Sequence, residues 1–125
     1  MEDRVQRLVN AYLNIAGRWQ DLRSLTKPGQ TVPKEHEDEI AGMVDLLIDI
    51  ILADFSPDSL AGMKVIDNVK ETAMADAEWV EDPVNAEKVP VVVMRSLIAH
   101  HRIPLSFAAS KRFSVFCDRY RDAIL

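Results

Sequence analysis

Residues 40–52 read IAGMVDLLIDIIL, and this stretch decides the fold class. Its apolar side chains recur with helical spacing, and further apolar side chains fill the other faces of the same helix. A helix that is apolar nearly all round belongs at the centre of a domain. Two aspartates interrupt the run, which is also too short to cross a bilayer. The sequence therefore predicts an all-α protein with this helix at its centre.

The residues before this stretch predict a first helix and the break that follows it. Pro33 stands near the expected start of the central helix, and acidic residues follow it, as the helix macrodipole favours. Lys27-Pro28-Gly29 ends the preceding helix. The apolar stripe of that first helix has spacings of three and four and consists of Val5, Leu8, Val9, Tyr12, Ile15, Ala16, Trp19 and Leu22.

Prolines divide the second half of the chain into further predicted helices. Ser56-Pro57 starts a third helix that continues to Val80. Pro90 is expected to separate a short turn or helix at 83–89 from a fourth main helix that ends at Pro104. Ser106 is expected to cap the last helix, whose apolar side contains Phe113, Phe116, Cys117 and Tyr120. Residues 1–125 thus predict one domain, a four- to five-helix up-and-down bundle-like fold.

Composition excludes several classes of protein. The chain is 48% hydrophobic and 28% charged, which is typical of a compact globule rather than a disordered chain. Its single cysteine, Cys117, excludes an internal disulfide framework and a cysteine-based zinc cluster. We expect a reducing, cytoplasmic environment, and neither a metal nor another cofactor. The chain contains no apolar run long enough to predict a membrane span. Its start is acidic and has no apolar region, so we expect no secretory signal.

Charge is distributed in three blocks along the chain. The net charge is +3 in residues 1–34, −12 in residues 35–94 and +4 in residues 95–125. If the terminal helices pack together, their basic side chains form one face that binds nucleic acid or an acidic protein surface. The alternative is that folding interleaves the blocks into a mixed surface. The candidate contact residues are Arg4, Arg7, Arg18, Arg23, Lys111, Arg112, Arg119 and Arg121.

The last predicted helix also interleaves basic residues with aromatic ones, a combination that can contact a nucleic-acid backbone and its bases. In size, helicity and charge layout the chain is similar to the small helical subunits of CRISPR effector complexes. Those subunits stack and line a nucleic-acid path. The resemblance implies a non-catalytic interaction module that works as a homo-oligomer or as a subunit of a larger assembly or regulatory complex.

A short motif suggests a different function. Arg95-Ser96-Leu97-Ile98-Ala99-His100, followed by His101, resembles the ribonuclease motif of HEPN domains, in which a His follows an Arg after four to six residues. The resemblance implies a dimeric, metal-independent ribonuclease. Arg95 would steady phosphate charge, and His100, or alternatively His101, would act as general acid or base. The structural alternative is that these basic residues complement the dipole at a helix C-terminus.

The acidic residues of the central helix support a third, minor hypothesis. Asp45 and Asp49 lie four residues apart, so they face water, meet a basic side chain or hold a cation. The chain also partly resembles the all-α nucleotide pyrophosphohydrolases, whose Glu-rich helices surround magnesium. The resemblance implies a carboxylate–metal nucleotide hydrolase. The acidic pairs with the corresponding spacing are Glu35/Asp38 and Glu78/Glu81.

Overall fold

The computed structural model describes residues 3–55, 81–103 and 111–124, and within these ranges the chain is all-α, without a strand. The prediction of a helical, bundle-like domain is confirmed. The predicted third helix, from Ser56 to Val80, and the predicted cap at Ser106 lie outside the described residues. The described helices are α1 (Asp3–Leu25), α2 (Lys34–Asp54), α3 (Pro83–Arg95), a π-helical turn that continues α3 (Ser96–His100), α4 (Lys111–Arg119) and α5 (Arg121–Ile124).

The boundary between α1 and α2 lies where the sequence predicts it. The chain leaves the helix after Leu25, and Gly29 adopts a φ of +83°, a conformation that glycine adopts without a steric penalty. Pro33 directly precedes α2 and its carbonyl accepts hydrogen bonds from the N–H groups of His36 and Glu37. Proline suits this position because the first N–H groups of a helix have no partner inside the helix.

Ion pairs between the helices give their relative directions. Arg7 lies near the start of α1 and pairs with Asp54 at the end of α2, whereas Arg18, further along α1, pairs with Glu39 near the start of α2. The two helices are therefore antiparallel. By contrast, α3 runs parallel to α1, because its first turns pair with the start of α1 and its end meets Trp19 near the end of α1.

The helix α2 takes a central place, as its sequence predicts. It packs against α1 on one side and α4 on another, while α3 packs against α1 and α5. The enclosure of α2 is incomplete, however, since Leu46 is 60% exposed and Leu52 is 40% exposed. A part of its apolar surface therefore faces outward. The residues of α2 that are buried in the core are Ile40, Ala41, Val44, Leu47, Ile48 and Ile51.

The prediction that Pro90 separates two elements is wrong. One helix, α3, runs from Pro83 to Arg95 and contains Pro90 in its interior. An interior proline costs about 3 kcal/mol, because it removes one hydrogen bond and crowds the preceding turn. The burial of the surrounding side chains outweighs this cost. The same burial also stabilises the helical conformation of the three consecutive valines. The core residues on both sides of Pro90 are Ala86, Val89, Val91, Val92, Val93 and Met94.

The later predictions about the core are confirmed where the structure describes them. Phe113, Phe116 and Tyr120 are buried, as is the single cysteine, Cys117. Trp19 is buried near the end of α1, whereas Trp79 lies outside the described residues. In the described part of the chain, no helix is long and apolar enough to cross a membrane.

Candidate functional site

In the described part of the chain, the basic residues of the terminal helices contact several different neighbours. Among the described helices, α1 packs mainly against α2 and α3, whereas α4 packs mainly against α2. On α1, Arg4 contacts Glu87 at 2.6 Å, Arg7 contacts Asp54 at 2.9 Å, and Arg18 binds both carboxylate oxygens of Glu39 at 2.9 and 3.2 Å. These arginines are engaged along the length of α1 rather than presented together to an external partner.

The basic residues near the C-terminus are engaged in a similar way. Arg112 pairs with Asp49 of α2, Arg121 pairs with Asp118 at 2.9 Å, and the guanidinium of Arg119 lies 5.5 Å from the ring centroid of Tyr120. Lys111 begins α4. Among the described residues, basic side chains from both ends of the chain thus lie beside acidic ones, which is the arrangement of the mixed-surface alternative. The Arg18 guanidinium, hydrogen-bonded to Glu39, holds the pKa of that carboxyl below its ordinary value.

The acidic residues of α2 do not assemble a metal site in the described part of the chain. Asp49 meets Arg112, and Asp45 is half-buried. Glu35 and Asp38 are exposed on the first turns of α2, and Glu78 lies outside the described residues. No group of three His, Cys, Asp or Glu side chains among the described residues could hold a metal ion.

A different set of cations meets at the end of the bundle where α1 and α3 finish. The indole Nε1 of Trp19 donates a 2.9 Å hydrogen bond to the backbone carbonyl of His101, which joins the two helix ends. The guanidinium of Arg23 lies over the Trp19 ring, 5.9 Å from its centroid. A cleft of about 290 Å³ opens beside this pair. Its lining includes Arg23 and Lys27 at the rim and the buried Trp19 at its base.

A network of polar side chains fixes the end of α3 against α1. The Tyr12 hydroxyl is hydrogen-bonded to Ser96 Oγ and lies 3.0 Å from His101 Nε2. The rings of His100 and His101 meet edge to face with centroids 4.9 Å apart. Tyr12 and Ser96 are both buried, whereas His101 is half-buried and His100 is exposed. The buried Tyr12 hydroxyl therefore fixes the ring of His101, whereas the neighbouring His100 faces the solvent.

The π-helical turn changes how Arg95 and His100 are placed relative to each other. The backbone N–H of His101 bonds to the Ser96 carbonyl at 3.0 Å, five residues earlier rather than four. In a regular α-helix, two residues five positions apart are separated by one full turn and about 0.4 of a turn more around the helix axis. The wider π-helical turn brings His100 back towards the side of the helix that carries Arg95. The angular separation of Arg95 and His100 around the helix axis is therefore smaller than in a regular α-helix.

The chain leaves this turn through a conformation that places one more cation at the same end. Arg102 has a φ of +56°, and the N–H of the next residue, Ile103, bonds to the Leu97 carbonyl at 3.0 Å. A left-handed residue after a helix is a common way to satisfy its last carbonyls. The arrangement buries Ile103 in the core and leaves Arg102 exposed.

We call the surface formed by Arg23, Lys27, His100 and Arg102 the basic end. Arg23 and His100 are among the residues that the sequence predicts to be functional, whereas Lys27 and Arg102 are not. The signal for both in the sequence is a basic residue two positions after the end of a helix. Glu37 also lines the cleft, so α2 supplies an acidic border to this surface.

Comparison with known proteins identifies no matching family, no similar curated protein and no similar solved structure.

Proposed function

We propose that the chain is a helical nucleic-acid-binding module that contacts a single-stranded phosphate backbone through the basic end. The observation that carries the proposal is the Trp19–His101 hydrogen bond, which joins the end of α1, where Arg23 and Lys27 line the cleft, to the residue that precedes Arg102 after α3. Arg23, Lys27 and Arg102 are all exposed at this surface. The arginines on the sides of the bundle are instead bound to carboxylates.

The chain's net charge of −5 does not oppose this proposal, because association depends on the local field. Lys and Arg side chains that contact phosphates release counterions, which makes the affinity fall as salt rises. The acidic first turns of α2 border one side of the cleft. They favour a polyanion on the α1 side of the cleft, which Arg23 and Lys27 line.

Fluorescence anisotropy with a labelled single-stranded RNA at low salt tests the proposal. We expect the double variant Arg23→Glu/Arg102→Glu to bind much more weakly than the parent. A plot of log affinity against log salt concentration should have a slope whose magnitude is about 1.4 smaller for the variant than for the parent. Each lost phosphate contact on a single strand lowers that magnitude by about 0.7.

The matched control is Arg112→Glu/Arg121→Glu, which changes the net charge by the same amount at arginines that pair with Asp49 and Asp118. We expect this control to retain most of the parent's affinity. Equal losses in both double variants would show a non-specific response to net charge. Absence of binding by the parent would contradict the proposal directly.

We propose as a second function metal-independent RNA cleavage, which is supported by the π-helical turn between Arg95 and His100 at the end of α3. In such a reaction His100 exchanges a proton with a ribose or leaving-group oxygen, and Arg95 stabilises charge on the phosphate. The exposed His100 is better placed for this role than His101, whose Nε2 is next to the Tyr12 hydroxyl. The HEPN resemblance of the motif is consistent with this second proposal.

Incubation of purified protein with end-labelled single-stranded RNA in the presence of a chelator, followed on a denaturing gel, tests cleavage. We expect the parent to shorten the RNA and the Arg95→Ala/His100→Ala variant to leave it intact. The Arg112→Glu/Arg121→Glu control should cleave like the parent. Intact RNA with the parent, in a reaction where anisotropy shows binding, would leave the non-catalytic binding module as the function.

A further inference from the structure

The outer side of the α1–α2 pair carries a groove with exposed apolar surface. The groove has a volume of about 230 Å³ and is lined by Arg7, Asn10, Asn14, Met43 and Leu46, with Ala11 and Ile15 at its base. Leu46 is 60% exposed although it lies in the middle of the otherwise central helix α2. We call this surface the seam. It lies on a different part of α1 from Trp19 and is separate from the basic end.

Two ion pairs bracket the seam, and they divide its charges by helix. At one end Arg7 pairs with Asp54, and at the other Arg18 pairs with Glu39. Both cations belong to α1 and both carboxylates belong to α2. The side chains of Arg7, Arg18 and Glu39 remain 58%, 38% and 43% exposed, so they are open to a further partner of opposite charge, whereas Asp54 is 19% exposed and presents a smaller part of its carboxylate.

We propose that the seam is a two-fold interface between two copies of this chain. A two-fold axis parallel to the helices turns the second copy to face the first without inverting it end to end. This operation places α1 of one copy over α2 of the other. Each arginine then lies opposite a carboxylate: Arg18 opposite Glu39 of the second copy, and Arg7 opposite Asp54 of the second copy.

The charges also exclude the other simple two-fold arrangement. An axis perpendicular to the helices would invert the second copy and place α1 over α1. Arg7 would then face Arg18 of the second copy, while Asp54 would face Glu39 of the second copy. Like charges that approach each other across an interface are unfavourable. The charge pattern therefore selects a single symmetric arrangement, in which the same surface patch serves both copies.

The remaining groups of the seam suit this occupant. Leu46 and Met43 supply the apolar centre, and the exposed amides of Asn10 and Asn14 supply hydrogen-bonding groups on the rim. The spacing from Arg7 to Arg18 covers about 16 Å of helix, at about 1.5 Å per residue. A second copy has the same apolar centre at the same distance from its own charges. The apolar centres and the opposite charges of the two copies can therefore be in contact at the same time. The inference is independent of nucleic-acid binding at the basic end.

Sedimentation velocity in RNA-free buffer over a wide range of concentrations tests this interface. We expect the parent to form a species of twice 14.1 kDa and Leu46→Glu to remain at 14.1 kDa. Leu46 is exposed, so the substitution should leave the fold intact, which circular dichroism checks. The control is Leu25→Glu, the same change at a leucine that is 77% exposed outside the seam, and it should dimerise like the parent. High salt should weaken the dimer, since opposite charges pair across it.

Cysteine cross-linking tests the orientation. A chain with Asn14→Cys mixed with a chain with Met43→Cys should form an intermolecular disulfide, whereas Asn14→Cys alone should not. A parent that stays monomeric, a dimer that resists Leu46→Glu, a dimer that Leu25→Glu also dissociates, or a dimer that salt strengthens would each overturn the proposal. Cross-linking of Asn14→Cys alone would overturn the orientation and with it the charge argument.

Discussion

Cys117 shows how burial alone can determine the chemistry of one side chain. It lies on the inner side of α4 and is 1% exposed, next to aromatic residues of the core. Burial raises the pKa of its thiol to about 12, and the neighbouring Asp118 carboxylate acts in the same direction. The reactive thiolate is therefore nearly absent at neutral pH, and the cysteine is a packing residue rather than a nucleophile.

We expect Cys117 to resist alkylation by iodoacetamide at pH 8 in the folded protein. The thiolate population at that pH should be roughly a thousandfold smaller than for a thiol with an ordinary pKa of about 8.5. Mass spectrometry after timed quenching measures the rate, and the same protein in guanidinium chloride provides the reference. Similar rates in the two conditions would contradict the structural assignment of this residue.

Among the helices, α3 departs most from what its sequence predicts. Local rules end a helix before Pro90, yet α3 continues through it and finishes in a π-helical turn. That turn has a clear partner on α1, because the buried Tyr12 hydroxyl reaches both Ser96 and His101. The polar link and the surrounding valines together hold α3 in a shape that its own residues would not adopt alone.

We expect Tyr12→Phe to lower the free energy of unfolding by about 1–3 kcal/mol, because Ser96 and His101 lose this hydroxyl in a buried setting. Urea denaturation followed by circular dichroism measures the difference. Leu13→Ala, at an exposed neighbouring position on the same helix, is the control and should change stability by about 0.5 kcal/mol or less. An equal effect of both substitutions would show that the hydroxyl network contributes nothing to stability.

Across the described helices, charges of opposite sign are paired between neighbouring helices. The basic block at the start of the chain and the acidic block after it fold into the antiparallel helices α1 and α2, which pair Arg7 with Asp54 and Arg18 with Glu39. Exposed pairs of this kind contribute little to stability, typically about 0–1 kcal/mol. Their larger consequence is positional, because they set these arginines beside carboxylates, whereas Arg23, Lys27 and Arg102 of the proposed basic end are exposed.

The same balance explains why the two proposed surfaces differ in character. At the basic end the cations outnumber their acidic neighbours around a cleft, so a polyanion is the suitable ligand. At the seam each cation has a carboxylate beside it, so a charge-matched copy of the chain is the suitable partner. Each surface combines residues from two helices that meet only in the folded chain. The net charge of successive sequence segments therefore predicts neither surface.

The amino-acid pattern was sufficient for the all-α class, the α1 and α2 helices with their break at Lys27-Pro28-Gly29, and the buried aromatics of α4. These features follow from local periodicity and from residues that interrupt a helix, and both act over a few positions. Tertiary packing was required for the continuation of α3 through Pro90, since buried contacts with other helices outweigh a local penalty. It was equally required to bring Trp19 to His101, which joins the end of α1, with Arg23 and Lys27, to the end of α3. A single helix cannot specify such a site, because its members come from α1 and α3 and meet only when those helices pack in parallel.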